Sequence, residues 1–87
     1  MASSTNEIFS RIEWCRRQRS EARTPHELEV WQAEEEGLRD AILKTDHTDK
    51  YRQLQRDVFV RYEIGLQDGR MLIRSQSVDA QFRSDRP

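Results

Sequence analysis

Cys15 is the only cysteine of this 87-residue sequence and its best candidate for a nucleophile. Arg16 and Arg17 follow it, and neighbouring cations favour a reactive thiolate when a cysteine is exposed. Cys15 also lies on a helical apolar stripe with Ile8 and Ile12, at positions i, i+4 and i+7. We therefore predict a buried cysteine that packs as a small apolar side chain.

Metal or phosphate chemistry would need ligands in a recognisable pattern. His26 and His47 are far apart in sequence and have no adjacent ligand set, whereas a closed zinc site needs four ligands at characteristic spacing. The three glycines, Gly37, Gly65 and Gly69, form no glycine-rich loop that could cradle phosphates. Only 34% of the residues are apolar, which leaves little material to enclose a catalytic pocket. We predict no enzyme, no metal site and no cofactor.

Two groups of charged side chains suggest contacts with nucleic acid. Residues 24–47 hold seven acidic and two basic side chains, and their run Glu34, Glu35, Glu36 could imitate a row of phosphates. The first 23 residues carry arginines that could instead contact phosphates: Arg11, Arg16, Arg17, Arg19 and Arg23. With 15 basic and 16 acidic residues overall, the chain lacks the basic excess of a dedicated nucleic-acid binder. A nucleic-acid-directed regulator is therefore the alternative hypothesis, which we do not favour.

Two helices position most of these side chains. Apolar spacing predicts a first helix over about residues 4–22. Thr24 as N-cap and Pro25 in the first helical position predict a second helix over about residues 25–44. Because the connection is so short, the two helices should form an antiparallel hairpin. A strip of small residues on the second helix should admit the close approach of another backbone: Val30, Ala33, Gly37 and Ala41.

Four residues of this helical hairpin are candidates for an interface. Trp14 projects about 160° from the apolar stripe of the first helix, so it either anchors a partner or is buried under the C-terminal segment. Trp31 belongs to the apolar stripe of the second helix, and Glu35 occupies a position within that stripe. A carboxylate there turns out to solvent, finds an arginine, or sets register in an oligomer. Arg19 interrupts the stripe of the first helix and completes the set.

A short third helix is predicted over about residues 48–57, and two interpretations compete for residues 58–66. As a helix, the stripe of Tyr51, Leu54 and Val58 would continue through Tyr62 and Gly65. As a strand, apolar and polar residues alternate in this segment.

The dipeptide Asp68-Gly69 favours the strand. It is a strong signal for a two-residue hairpin turn, because a type I′ turn needs positive φ at both central positions. We therefore predict a C-terminal β-hairpin over about residues 59–77, with Asp68 and Gly69 at its turn. Its open edge could add a strand from a partner.

The stretch from Gln67 to Val78 resembles the hairpin of lambda-type phage head–tail joining proteins. The shared features are an Asp-Gly-Arg turn and alternating flanks, which cover about 12 of the 87 residues. The long second helix of that family is missing from this sequence. The resemblance implies a small virion or head–tail assembly protein, but it does not assign the chain to the family.

Together these patterns predict a mainly helical α+β fold: a helical hairpin, a short third helix and a C-terminal β-hairpin. Residues 1–82 should form a single small domain, and residues 83–87 a flexible tail. A domain this small has a thin core, which favours burial against a partner or a second copy. We predict a non-catalytic protein–protein interaction module, either a self-assembling subunit or an adaptor or inhibitor that docks on a larger complex.

The environment of the protein is predicted from two absences in the sequence. The longest apolar runs have three residues, whereas a membrane-spanning helix needs about 20. Residues 1–7 lack the basic and apolar regions of a secretory signal. We therefore expect no membrane contact and an intracellular, cytoplasmic protein, or one associated with a virion.

Overall fold

The computed structural model describes the backbone of residues 4–84 and the side chains of residues 7–74. All regular structure within residues 4–84 is α-helical, in four helices. These are α1 (Ser4–Ser20), α2 (Pro25–Leu43), α3 (Thr48–Arg52) and α4 (Arg56–Ser84).

The predicted helical hairpin is confirmed by α1 and α2. Thr24 accepts a hydrogen bond at Oγ1 from the backbone N–H of Glu27 at 3.0 Å, and Pro25 occupies the first turn, as predicted. Lys44 ends α2 in the left-handed conformation, with φ 59°. The predicted ends at residues 22 and 44 are each one or two positions too late.

The predicted β-hairpin is wrong: no strand occurs within residues 4–84, and residues 56–84 form one continuous helix. The fold is therefore all-α, not α+β. The third helix ends at Arg52 and not at residue 57, because α4 has already begun at Arg56. In the predicted tail, residues 83 and 84 belong to α4, whereas residues 85–87 lie outside the described part of the chain.

Close packing of α4 against α2 explains why the helix prevails. A Cβ atom on Gly65 would lie 3.0 Å from the carbonyl carbon of Glu34, and one on Gly69 would lie 2.6 Å from Cβ of Ala41. The glycines therefore let two helix backbones touch along a buried face, whereas a lone two-stranded hairpin is marginally stable in water. Gly69 has negative φ and makes no type I′ turn, so Asp68 and Gly69 lie within a helix.

The small-residue strip on α2 does admit another backbone, as predicted, and the partner is α4. A Cβ on Gly37 would lie 2.6 Å from the backbone nitrogen of Leu66. Helices α2 and α4 run in the same direction, because Asp57 near the start of α4 contacts His26 and Arg70 further along contacts Asp46. The segment 44–55, which includes α3, leads from the end of α2 back to the start of α4.

Among the side chains of residues 7–74, the core consists of two buried clusters. One lies mainly between α2 and α4 and contains Ala33, Ala41, Tyr51, Val58, Tyr62 and Leu66. The other ties α1 to α2 and contains Ile8, Ile12, Cys15 and Leu38, with Leu72 and Ile73 of α4 packed against it. Tyr51 stacks on Tyr62 with ring centroids 4.3 Å apart, which fixes α3 on α4.

Candidate functional site

Three carboxylates of α2 lie inside the bundle. Glu34 is 1% exposed, and Glu35 and Asp40 are each 3% exposed. A buried carboxylate is costly unless it is paired and hydrogen-bonded. Each of the three must therefore find its partners within the protein, and the structure supplies them in two clusters of different chemistry.

Glu34 ties α1 to α4. Arg11 of α1 donates to Oε2 at 2.8 Å and Arg61 of α4 donates to Oε1 at 2.9 Å. Arg11 also donates to Asp68 of α4 at 3.0 Å, so the aspartate of the expected turn is an ion-pair partner. Cys15 is buried as predicted, and its Sγ lies 3.5 Å from Oε2 of Glu34. Burial and the Glu34 charge raise the pKa of this thiol to about 12, which keeps it protonated and unreactive.

Glu35 is held by three arginines. Arg19 donates to Oε1 at 2.5 Å and Arg16 donates to Oε2 at 3.2 Å, while the guanidinium of Arg39 forms an ion pair with Oε2 at 2.8 Å. Of the outcomes open for a carboxylate in this stripe, Glu35 takes the arginine partner. Of these two predicted interface residues, Glu35 is buried within the helical hairpin, whereas Arg19 is half-buried and keeps part of its surface in solvent. We call Glu34 and Glu35 with their five arginines the arginine cluster: Arg11, Arg16, Arg19, Arg39 and Arg61.

Asp40 is satisfied by a tyrosine, a threonine and a histidine. Tyr62 donates to Oδ2 at 2.6 Å, Thr45 donates to Oδ1 at 2.7 Å, and Nδ1 of His47 lies 2.8 Å from Oδ2. Burial raises the pKa of Asp40, but these hydrogen bonds outweigh it and hold the pKa below its ordinary value. The hydrogen bond to Asp40 and its charge raise the pKa of His47.

Glu36 extends this arrangement toward the surface. It accepts a hydrogen bond from the hydroxyl of Tyr51 and lies 3.6 Å from Nζ of Lys50. Burial is the main cause that raises the pKa of both Tyr51 and Tyr62, so both hydroxyls stay protonated as donors. We call this set the tyrosine–histidine cluster: Glu36, Asp40, Thr45, His47, Lys50, Tyr51 and Tyr62.

Three members of the tyrosine–histidine cluster have the chemistry of metal ligands. Atoms of Glu36, Asp40 and His47 lie within 4.8 Å of one another. Their acceptor positions are already used by tyrosine, threonine and histidine donors, and the ammonium of Lys50 stands beside Glu36. The geometry is that of a self-satisfied hydrogen-bond network, and we assign no metal to it.

The two tryptophans meet where α1 faces α2. Trp14 and Trp31 make an edge-to-face contact with centroids 5.0 Å apart and planes at 87°. The guanidinium of Arg61 lies 4.7 Å from the centroid of the Trp31 ring. Trp14 is 41% exposed, so it keeps an accessible surface, whereas Trp31 is half-buried.

An apolar groove of about 370 Å³ lies between the first half of α1 and the end of α2. Its lining includes Phe9, Ile12, Ile42 and Leu43, and we call it the α1–α2 groove. Phe9 is 52% exposed and Leu43 is 68% exposed, so two large apolar side chains face solvent at its edge. Three charged residues also line the groove: Glu13, Arg16 and Arg39.

The sequence analysis did not predict the α1–α2 groove or the partners that α4 supplies to the buried carboxylates. Phe9 follows Ile8 and Leu43 follows Ile42, and successive residues point about 100° apart around a helix, so the second residue of each pair is turned away from the centre of the buried face. That doubling was the available signal for the groove. Arg61, by contrast, joins Glu34 only because α4 is a helix, which the hairpin interpretation excluded.

Comparisons with known proteins give no relative for this chain. No protein-family model, curated protein or solved structure matches it with significant similarity. The stretch that resembles a phage head–tail joining hairpin is helical, so that resemblance has no structural counterpart. None of the helices within the described residues combines the length and apolar character that a bilayer crossing requires.

Proposed function

We propose that this protein is a non-catalytic protein–protein interaction module that docks as an adaptor or inhibitor through the α1–α2 groove. The observation that carries the proposal is the exposure of Phe9 and Leu43 beside a groove lined by Ile12 and Ile42. Contiguous apolar surface of this kind marks interaction sites, whereas single exposed apolar side chains are ordinary.

The groove's chemistry indicates the occupant. Arg16 and Arg39 give it a basic character that Glu13 offsets only in part. Each arginine uses one nitrogen for Glu35, and a guanidinium has five N–H donors in all. A fitting partner is an amphipathic helical segment that inserts apolar side chains at i and i+4 and carries an acidic residue beside them.

The charges favour a protein partner over nucleic acid. Arg11, Arg16 and Arg19 of the arginine-rich helix already pair with carboxylates of α2. Glu34 and Glu35 are buried, so the acidic run presents no row of accessible carboxylates. The acidic hypothesis needs accessible carboxylates, and the basic hypothesis needs a surplus of positive charge that α2 does not neutralise, so we extend neither.

Selection from a random peptide display library tests the proposal without a known partner. Peptides enriched on the wild-type protein should pair two apolar residues at helical spacing with an aspartate or glutamate. Their affinity should fall by roughly tenfold or more for Phe9→Asp and Leu43→Asp, because a charge then lies in the apolar contact.

Leu54→Asp is the matched control. Leu54 is an exposed leucine outside the groove lining, so this variant should bind the selected peptides as the wild type does. Peptides that bind the Phe9→Asp and Leu43→Asp variants as tightly as the wild type would contradict the groove as the docking site. Failure to enrich any peptide of the expected pattern would contradict the partner class.

A further inference from the structure

Helix α4 has an apolar stripe on the side that faces away from the bundle. Val60, Ile64 and Met71 are 41%, 38% and 62% exposed. At about 100° per residue, they lie within about 40° of one another and opposite the face that Tyr62 and Gly65 turn toward α2. The stripe is distinct from the α1–α2 groove, so this inference does not depend on the proposed function.

Charges on the same side of α4 change sign along the helix. Arg56, Asp57 and Glu63 lie in the first half, with a net charge of −1, and Arg70 and Arg74 lie in the second, with a net charge of +2. All five are exposed; Asp57 also contacts His26, and Arg70 reaches Asp46 at 3.4 Å. When two copies of such a helix lie antiparallel, the net acidic half of each copy faces the basic half of the other.

We propose that a second copy of this chain packs antiparallel along the outward stripe of α4. The two-fold axis crosses α4 between residues 65 and 66, which sets Val60 opposite Met71 of the second copy. The same register sets Asp57 opposite Arg74 and Glu63 near Arg70, each twice by symmetry. A two-fold interface requires such self-complementarity of one patch, which a foreign partner would not require.

The charges also fix the direction of the pairing. In a parallel arrangement Asp57 would meet Asp57 and Arg74 would meet Arg74, and like charges across an interface are unfavourable. Gln67 lies between the apolar layers and faces Ile64 in the antiparallel register. One polar position of this kind specifies register at a cost in stability.

The stripe also offers additional apolar surface for burial, which a small domain has little of. Residues 57–74 extend about 27 Å at 1.5 Å per residue, and their outward apolar side chains gain burial only against another molecule. A helix pair of this length belongs to the small and weak class of interfaces. The expected product is a reversible dimer and not an obligate one.

Sedimentation equilibrium of the full chain, from about 10 μM to about 1 mM, tests the proposal over the range suited to a weak interface. The wild type should approach the dimer mass as concentration rises. Glu63→Arg alone places two arginines against each other across the interface, and Arg70→Glu alone places two glutamates against each other. Each variant should dimerise roughly tenfold or more weakly than the wild type.

The equimolar mixture of these two variants is the decisive sample. The antiparallel register then pairs every reversed charge with an opposite one, so heterodimers should form at concentrations where each variant alone stays mostly monomeric. Restoration by mixing requires positions 63 and 70 to lie near each other across the interface. A mixture that stays monomeric while the wild type dimerises would overturn the register.

Apolar variants separate this surface from the α1–α2 groove. Ile64→Asp and Met71→Asp should each abolish the dimer, whereas Leu54→Asp should retain it; circular dichroism confirms that the variants remain helical. If Ile64→Asp unfolds the chain, Met71→Asp and the charge mixture still decide. A monomeric wild type at every concentration would overturn the proposal, as would a dimer lost in Leu43→Asp and kept in Met71→Asp.

Discussion

The arginine cluster and the tyrosine–histidine cluster bury carboxylates of the same helix by different means. Glu34 and Glu35 are neutralised by guanidinium groups that carry charge at any ordinary pH. Asp40 instead depends on neutral hydroxyl donors and on one histidine. One helix can therefore bury acids with arginine partners at its middle and with pH-dependent partners near its C-terminal end.

Removal of both arginines from Glu34 should have the largest effect. In the double variant Arg11→Met, Arg61→Met, the carboxylate stays buried without a cation, and breaking a buried pair costs about 3–5 kcal/mol. Urea unfolding at pH 7 measures the loss. Adding Glu34→Gln should recover part of it, because no charge then remains buried. An unchanged unfolding midpoint in the double variant would contradict the pairing as a source of stability.

Tyr62→Phe should have the next largest effect. The substitution removes the donor to Asp40 and the acceptor for the backbone N–H of His47, which lies 2.7 Å from the hydroxyl. Asp40 keeps Thr45 and His47 as partners, so the expected loss is that of a hydrogen bond to a charged group, about 1.5–3 kcal/mol in the free energy of unfolding. Tyr51→Phe is the matched control and should cost less, because Glu36 is only half-buried and can bind water. Equal losses of stability in Tyr62→Phe and Tyr51→Phe would contradict the greater importance of the hydrogen bond to buried Asp40.

A pH titration should separate the two clusters. The pKa of His47 in the folded state is raised above its ordinary value of 6.5. Protonated His47 therefore stabilises the fold fully below pH 6.5, and this stabilisation is lost as the pH rises through the folded-state pKa. Asp40 has a lowered pKa and contributes above its ordinary value of 3.8, so its part is lost only in stronger acid.

Thermal unfolding between about pH 5 and pH 8 measures this difference. The melting temperature of the wild type should fall as pH rises through that range, and His47→Gln should flatten the curve. The arginine cluster contains no histidine, so Arg11→Met, Arg61→Met should keep the slope of the wild type. A wild-type slope that survives His47→Gln would place its origin elsewhere.

Arg19→Ala should have the smallest effect, although Arg19 makes the shortest contact with Glu35. Arg16 and Arg39 remain bonded to the carboxylate, so the charge stays compensated. The expected loss is about 0–1 kcal/mol in the free energy of unfolding, comparable with a surface ion pair. Arg17→Ala serves as the control and should be neutral. A loss of several kcal/mol for Arg19→Ala would show that the three arginines are not redundant.

The helical hairpin could be predicted from the sequence because its signals are local. Thr24 and Pro25 specify the start of α2 whatever lies elsewhere, and the spacing of Ile8, Ile12 and Cys15 specifies the buried side of α1. The small-residue strip also predicted a close neighbour. Each of these patterns depends on residues within a single helix, so the predictions made from them do not depend on how the helices pack, and the structure confirms them.

The course of residues 56–84 was decided only by tertiary packing. Asp68-Gly69 has a strong local preference for a turn. Gly65 and Gly69 instead allow the backbones of α2 and α4 to pack closely, and this packing outweighs the turn preference. Arg11 and Asp68 also become partners only in the helix. The periodicity that predicts the helix competes with an equally regular alternation, and no local rule ranks one above the other.

The sequence by itself determined that this small, highly charged chain forms helices, where three of them begin, and that Cys15 is buried. The tertiary structure alone decided that α4 is a helix, that Glu34, Glu35 and Asp40 lie inside, and which arginines, tyrosines and histidine meet them. The physical reason is that a carboxylate's position depends on its partners. Those partners come from other helices, and a single helix's pattern cannot specify them.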